Sequence, residues 1–208
     1  KNQYNEMIMN GLRTSNGINL DALNKISKNI NFDDMILKWP QLTIKNNYLD
    51  VENGREYPGG YLGYAIESWG NETDRPQIKN NQIIVRQSCN AVWASYADID
   101  NNSITAVNHE TWILGHGDYN TITNNTITGA SSGIYVDYRL DNVITNNTMD
   151  VQNWGIYSNN ARGTHLYRNN VFTKDNNDWF VYVTSTEDVT IDSNRFIGTG
   201  TNSNNRGI

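Results

Sequence analysis

The chain has 208 residues and only 37% hydrophobic content, low for a compact globule but sufficient for an elongated solenoid. Its net charge of −6 argues against a nucleic-acid backbone as partner, because phosphate binding needs clustered cations, and more weakly against an anionic polymer without a bridging cation. The single cysteine, Cys89, excludes an internal disulfide and reads as a small core filler, and no apolar run approaches the roughly 18 residues of a membrane span.

The chain begins at Lys1 without methionine and shows no signal peptide, which fits a processed chain or an excised domain. Residues 1–41 form a first unit. Within it Asp21–Ile30 has apolar residues at 22, 23, 26 and 30 behind a candidate N-cap, Asp21, and predicts a helix that caps one end of the fold. Asn5-Glu-Met-Ile-Met-Asn-Gly-Leu-Arg-Thr14 with Gly17-Ile-Asn-Leu-Asp21 resembles the C-terminal segment of oxygen-independent coproporphyrinogen oxidase-like enzymes. The cysteine triplet of that chemistry is absent, so no activity is carried over.

From residue 42 to 197 one motif recurs, apolar-x-Asn-Asn-x-apolar. Examples are Ile44-Lys-Asn-Asn-Tyr-Leu49, Ile99-Asp-Asn-Asn-Ser-Ile104 and Ile122-Thr-Asn-Asn-Thr-Ile127. Its second position of the pair falls at 47, 81, 102, 125, 147, 170 and 194, in steps of 34, 21, 23, 22, 23 and 24. Apolar residues alternate on both sides of the pair, which is strand periodicity, and Asn tolerates the left-handed backbone of a sharp corner. Stacked coils bring each Asn above the next, so the amides can pair along a ladder instead of being left unsatisfied. A second strand per coil reads Ala65–Ser68, Val92–Ser95, Ile113–His116, Ile134–Asp137, Ile156–Asn159 and Val181–Thr184.

This pattern resembles the right-handed parallel β-helix repeat of the pectate-lyase superfamily and the NosD-like repeat proteins. The resemblance implies an all-β solenoid of about seven coils, with the Asn corner between the second and third strands. It also implies that Ile134–Asp137 and its equivalents belong to the first strand, whose outer face carries the binding groove. The long first step contains an insertion, 52–73, whose Pro58-Gly-Gly60 marks a loop and whose Tyr57, Tyr61, Tyr64 and Trp69 suit sugar contact. Residues 198–208 read as a polar tail.

The expected outer column of the second strand is Glu67, Trp93, Leu114, Tyr135, Tyr157, Tyr182, and the next column Trp69, Ser95, His116, Asp137, Asn159, Thr184. Coils lie about 4.8 Å apart, so His116 and Asp137 are expected in contact, flanked by Asp118 and Arg139. These four are the candidate catalytic residues of a polysaccharide lyase or glycoside hydrolase. Trp93, Tyr135, Tyr157, Glu67, Trp69 and Asn159 are the candidate substrate contacts. Buried His165 reads as a satisfied core histidine. No cluster has zinc spacing; calcium has candidate ligands in Asp118, Asp137 and Asp98. The sequons at Asn101, Asn124 and Asn146 are expected to turn their amides inward, and that at Asn71 is discounted with them. The resulting expectation is a module that recognises an extracellular, cell-surface or virion polysaccharide, with or without cleaving it. It would act as a monomer or homotrimer, and the alternative is a structural or adhesive β-helix such as a tailspike.

Overall fold

A computed structural model describes residues 43–52, 63–86, 89–107, 112–115 (backbone), 117–174, 179–199 and 208. The helix expected at Asp21–Ile30 and the enzyme-like segment at 5–21 lie outside these residues, as does most of the tail.

The first coil carries β1 (Thr43–Lys45), β2 (Tyr48–Glu52) and β3 (Gly63–Trp69). The second carries β4 (Gln77–Lys79), β5 (Gln82–Arg86) and β6 (Cys89–Ser95), the third β7 (Asp98–Asp100), β8 (Ser103–Val107) and β9 (Trp112–Gly115). In the next two coils the second and third strands are continuous through a bend: β10 (Thr121–Thr123) with β11 (Thr126–Asp137), then β12 (Val143–Thr145) with β13 (Thr148–Asn159). The chain continues through β14 (His165–Arg168), β15 (Val171–Lys174) and β16 (Val181–Thr184), and finishes on β17 (Val189–Asp192) and β18 (Arg195–Gly198). Every pairing is parallel and joins one coil to the next, so the molecule is an all-β solenoid.

Two expectations need correction. The seven corners overcount the closed turns. The last coil has only β17 and β18 among the described residues, and the first reaches β3 only across 53–62, which are not described. Five turns, opening on β4, β7, β10, β12 and β14, each run from a first strand to the third-strand face. The insertion at 52–73 is also smaller than a loop of that length, since Gly63–Trp69 is β3, paired with β6.

Core and corner follow from the same repeat. Ile78, Ile99, Ile122, Ile144 and Tyr167 stack in register on one wall, and Ile83, Ile104, Ile127, Met149 and Phe172 on another, all essentially inaccessible. Burying each such side chain contributes about 1.5–3 kcal/mol. Cys89 is a buried free thiol, as expected. At the corner, the two members of each pair divide the labour. The first, Asn46, Asn80, Asn101, Asn124, Asn146, Asn169 and finally Ser193, adopts φ between 53° and 57°. The second points inward. Asn125 shows the full pattern: its Oδ1 accepts from the N–H and the side-chain amide of Asn102, both 2.9 Å, while its Nδ2 donates to the Ile99 carbonyl (2.9 Å) and to Asn147 Oδ1 (3.0 Å). The chain of bonds runs unbroken from Asn47 to Asn194. The sequon residues Asn101, Asn124 and Asn146 are the first of their pairs, and they are exposed rather than inward, which corrects the expectation for them.

A second, shorter ladder stands at the opposite corner. The Ala97 N–H donates to Asn120 Oδ1, the Asn120 N–H to Asn142 Oδ1, and the Asn142 N–H to His165 Nδ1. His165 Nε2 lies 2.9 Å from the Arg162 carbonyl, which can only accept, so Nε2 carries the proton and Nδ1 is free to accept. Burial pushes the His165 pKa below its usual 6.5, because a second proton would face the Asn142 N–H across the ladder.

Two measurements check this arrangement. Asn147→Ala removes five hydrogen bonds, two from Asn125, two to the Ile122 and Thr145 carbonyls and one to Asn170 Oδ1, and should cost about 3 kcal/mol or more by urea unfolding, above the cost of Asn194→Ala at the ladder's end. For His165 the unfolded chain takes up the proton first. Stability is therefore complete above pH 6.5 and falls as the pH drops below it, and His165→Asn should flatten that fall in denaturation curves taken across the range.

Candidate functional site

The third strands β3, β6, β9, the end of β11, the end of β13 and β16 present one outward face. Pairing fixes its columns. Glu67 pairs with Trp93, Trp93 with Gly115, Gly115 with Tyr135, Tyr135 with Tyr157, and Tyr157 with Tyr182. The expected column therefore slips by one residue on the third coil. Leu114 pairs with the inward Val92 and Ile134, and Gly115 takes the outer position. A Cβ on Gly117 would collide with the Ala94 carbonyl, so this rung admits only glycine. The paired register of these strands ends at Gly115 and Tyr135, and the expected His116–Asp137 neighbourhood falls on His116, which lies outside the described residues.

Tyr135, Tyr157 and Tyr182 do assemble. Their rings stack at centroid spacings of 5.2 Å, tilted by 3° and 13°. Stacked in this way, each contributes about 0.5–1.5 kcal/mol to the fold beyond its burial. The central ring, Tyr157, is covered on both faces by Tyr135 and Tyr182. Trp93 packs against Tyr64 and Trp69 at 4.7 and 5.2 Å, and Trp69 donates its indole N–H to Glu67 Oε1.

Asp137 is the polar centre. Its Oδ2 accepts from the Tyr135 hydroxyl at 2.7 Å and its Oδ1 from Asn159 Nδ2 at 2.9 Å. Burial and then the bond to this carboxylate push the Tyr135 pKa far above its ordinary 10.0, since ionising the phenol would set two anions together. The Tyr157 pKa is raised by burial, then by Asp137 and Tyr182. Asp118 is committed elsewhere: its Oδ1 accepts the Leu140 N–H at 3.0 Å and holds the turn after β11. Arg139 Nε is buried without a hydrogen-bond partner. Asp98 lies on β7, in the other sheet, bonded to Arg75 and Gln77, so it does not join Asp118 and Asp137 as a calcium ligand. Among the described residues no three His, Cys, Asp or Glu side chains converge on one point.

Sequence reasoning missed the tyrosines just beyond the strands. Tyr96, Tyr119 and Tyr138 take φ of 54°, 57° and 54°. Tyr96 and Tyr119 stack at 4.6 Å, whereas Tyr138 is 67% exposed. Their positions in turns gave no periodic signal; only their proximity to the Tyr135–Asp137 segment could have drawn notice.

A sequence model of the right-handed β-helix region matches residues 66–196. The chain belongs to that family. No curated protein and no solved structure matches it.

The raised phenols set a pH dependence. The unfolded chain loses its phenolic protons first, so stability falls as the pH rises above 10.0, and Tyr135→Phe should reduce that slope in urea unfolding at alkaline pH.

Proposed function

We propose that the face formed by Tyr135, Tyr157, Tyr182, Asp137 and Asn159 recognises a neutral polysaccharide on a cell surface or in the surrounding medium, without cleaving it. The observation that carries this reading is the in-register tyrosine stack, whose rings repeat every 5.2 Å beside a carboxylate–amide pair. Such a stripe offers one set of donors and acceptors per rung, a repeat comparable to one sugar of an extended chain. The net charge of −6 and the carboxylates of Glu67, Asp118 and Asp137 on or beside the face favour a neutral ligand over an anionic one. A β-helix often serves carbohydrate-active or adhesive proteins, and its fold alone does not choose between them.

Recognition is favoured over catalysis by how the carboxylates are engaged. Both oxygens of Asp137 are held by Tyr135 and Asn159, and Asp118 caps a backbone N–H. Each Asp137 oxygen keeps a second lone pair for a sugar hydroxyl, while the two bonds hold the carboxylate in one orientation.

A glycan array carrying neutral and uronate polysaccharides tests the proposal, together with a reducing-end assay. The expected result is binding to neutral chains, no new reducing ends, and loss of about three- to tenfold in affinity for Tyr157→Phe and Asn159→Ala, each removing one hydrogen-bonding group. A blank array, or release of reducing ends lost in Asp137→Ala, would overturn it.

A further inference from the structure

Tyr157, at the centre of the column, cannot itself stack on sugar, because Tyr135 and Tyr182 cover its two faces. Tyr138 offers a more open ring. It follows Asp137 directly, and its N–H donates to the Asn159 carbonyl at 3.0 Å, which fixes it at the lip of the Asp137–Asn159 pair. Two thirds of its surface is open to solvent, the largest exposure of any aromatic residue among those described.

The backbone makes this placement costly. A bulky residue at φ 54° is an outlier, since the left-handed region crowds its Cβ against the following carbonyl. One coil further on, the equivalent corner residue is Asn160, at φ 49°, with its N–H bonded in the same way to Thr184; a further coil on, it is Ser185, at φ 50°. Asn is the side chain that this conformation accommodates best. Tyr96 shares the strain, but its ring is packed against Tyr119 and contributes to the fold. Tyr138 has the strain without that packing. Strain of this kind, held in place by its surroundings, points to a use other than folding.

We propose that Tyr138 is the stacking platform of the site, receiving the face of one pyranose ring while Asp137, Asn159 and Tyr157 bond its hydroxyls. The proposal rests on the reading of this face as a glycan-binding surface. Tyr138 stands at the corner, beyond the strand's end. The ligand therefore crosses the face toward the turn, and a chain lying only along the solenoid axis would not reach the ring.

The test is affinity gel electrophoresis of the whole chain in gels containing hydroxyethylcellulose, arabinoxylan, galactomannan or dextran. Tyr138→Asn is expected to raise the melting temperature by about 2–4 °C, by relieving the strain. The same variant should weaken retardation about tenfold, the scale of a lost ring contact. Tyr138→Phe keeps the ring and should bind within about twofold of the parent chain. If Tyr138→Asn binds like the parent chain while Tyr157→Phe is weakened, the platform is wrong and the binding face stands. If no polysaccharide retards the parent chain, the binding face falls and the platform with it.

Discussion

The inward amide of the second corner asparagine is the constraint on which the rest depends. It satisfies the backbone N–H of the previous rung, the carbonyl of that rung's first strand and the amide of the next rung. A rung shifted by one residue would turn these groups into buried orphans, each costing about 1–3 kcal/mol. The ladder therefore locks the register of all coils at one edge. Strand register at the opposite edge then follows, within the slack allowed by the intervening turns.

That slack explains which parts of the structure could be read from the residues. The corners from Asn47 to Asn194 were legible because a ladder demands the same residue at nearly the same interval, and the apolar alternation around it demands strands. The outer columns were harder. The path from corner to third strand varies in length between coils, and on the third coil it sets Leu114 level with Val92 and Ile134, and Gly115 level with Trp93 and Tyr135. One residue of slip exchanges the two faces of a strand, so an outer column read by counting does not survive it. The second ladder escaped notice for a related reason. It has only Asn120, Asn142 and His165 as side-chain members, and the turns before it differ in length. His165 itself was readable as a satisfied buried histidine, because it stands two residues before the inward Tyr167. Dihedral strain has no sequence signal at all, which is why Tyr138 emerged only from the backbone.

The candidate site draws its character from the same rigidity. Rungs held at a fixed spacing stack Tyr135, Tyr157 and Tyr182 almost parallel. Asp137 is tied on both oxygens, which suits an acceptor that positions a ligand better than a group that moves a proton. Precision here comes from the scaffold, with the functional groups on strands whose partners are fixed above and below.

The most direct measurement of the central claim is native-state hydrogen exchange at the ladder amides. The backbone N–H groups of Asn102, Asn125 and Asn147 each donate to the next asparagine's Oδ1 at 2.9 Å. If the ladder holds the register, these protons exchange only through global unfolding and share one denaturant dependence. Exchange through local opening, independent of denaturant, would show that the register is set elsewhere.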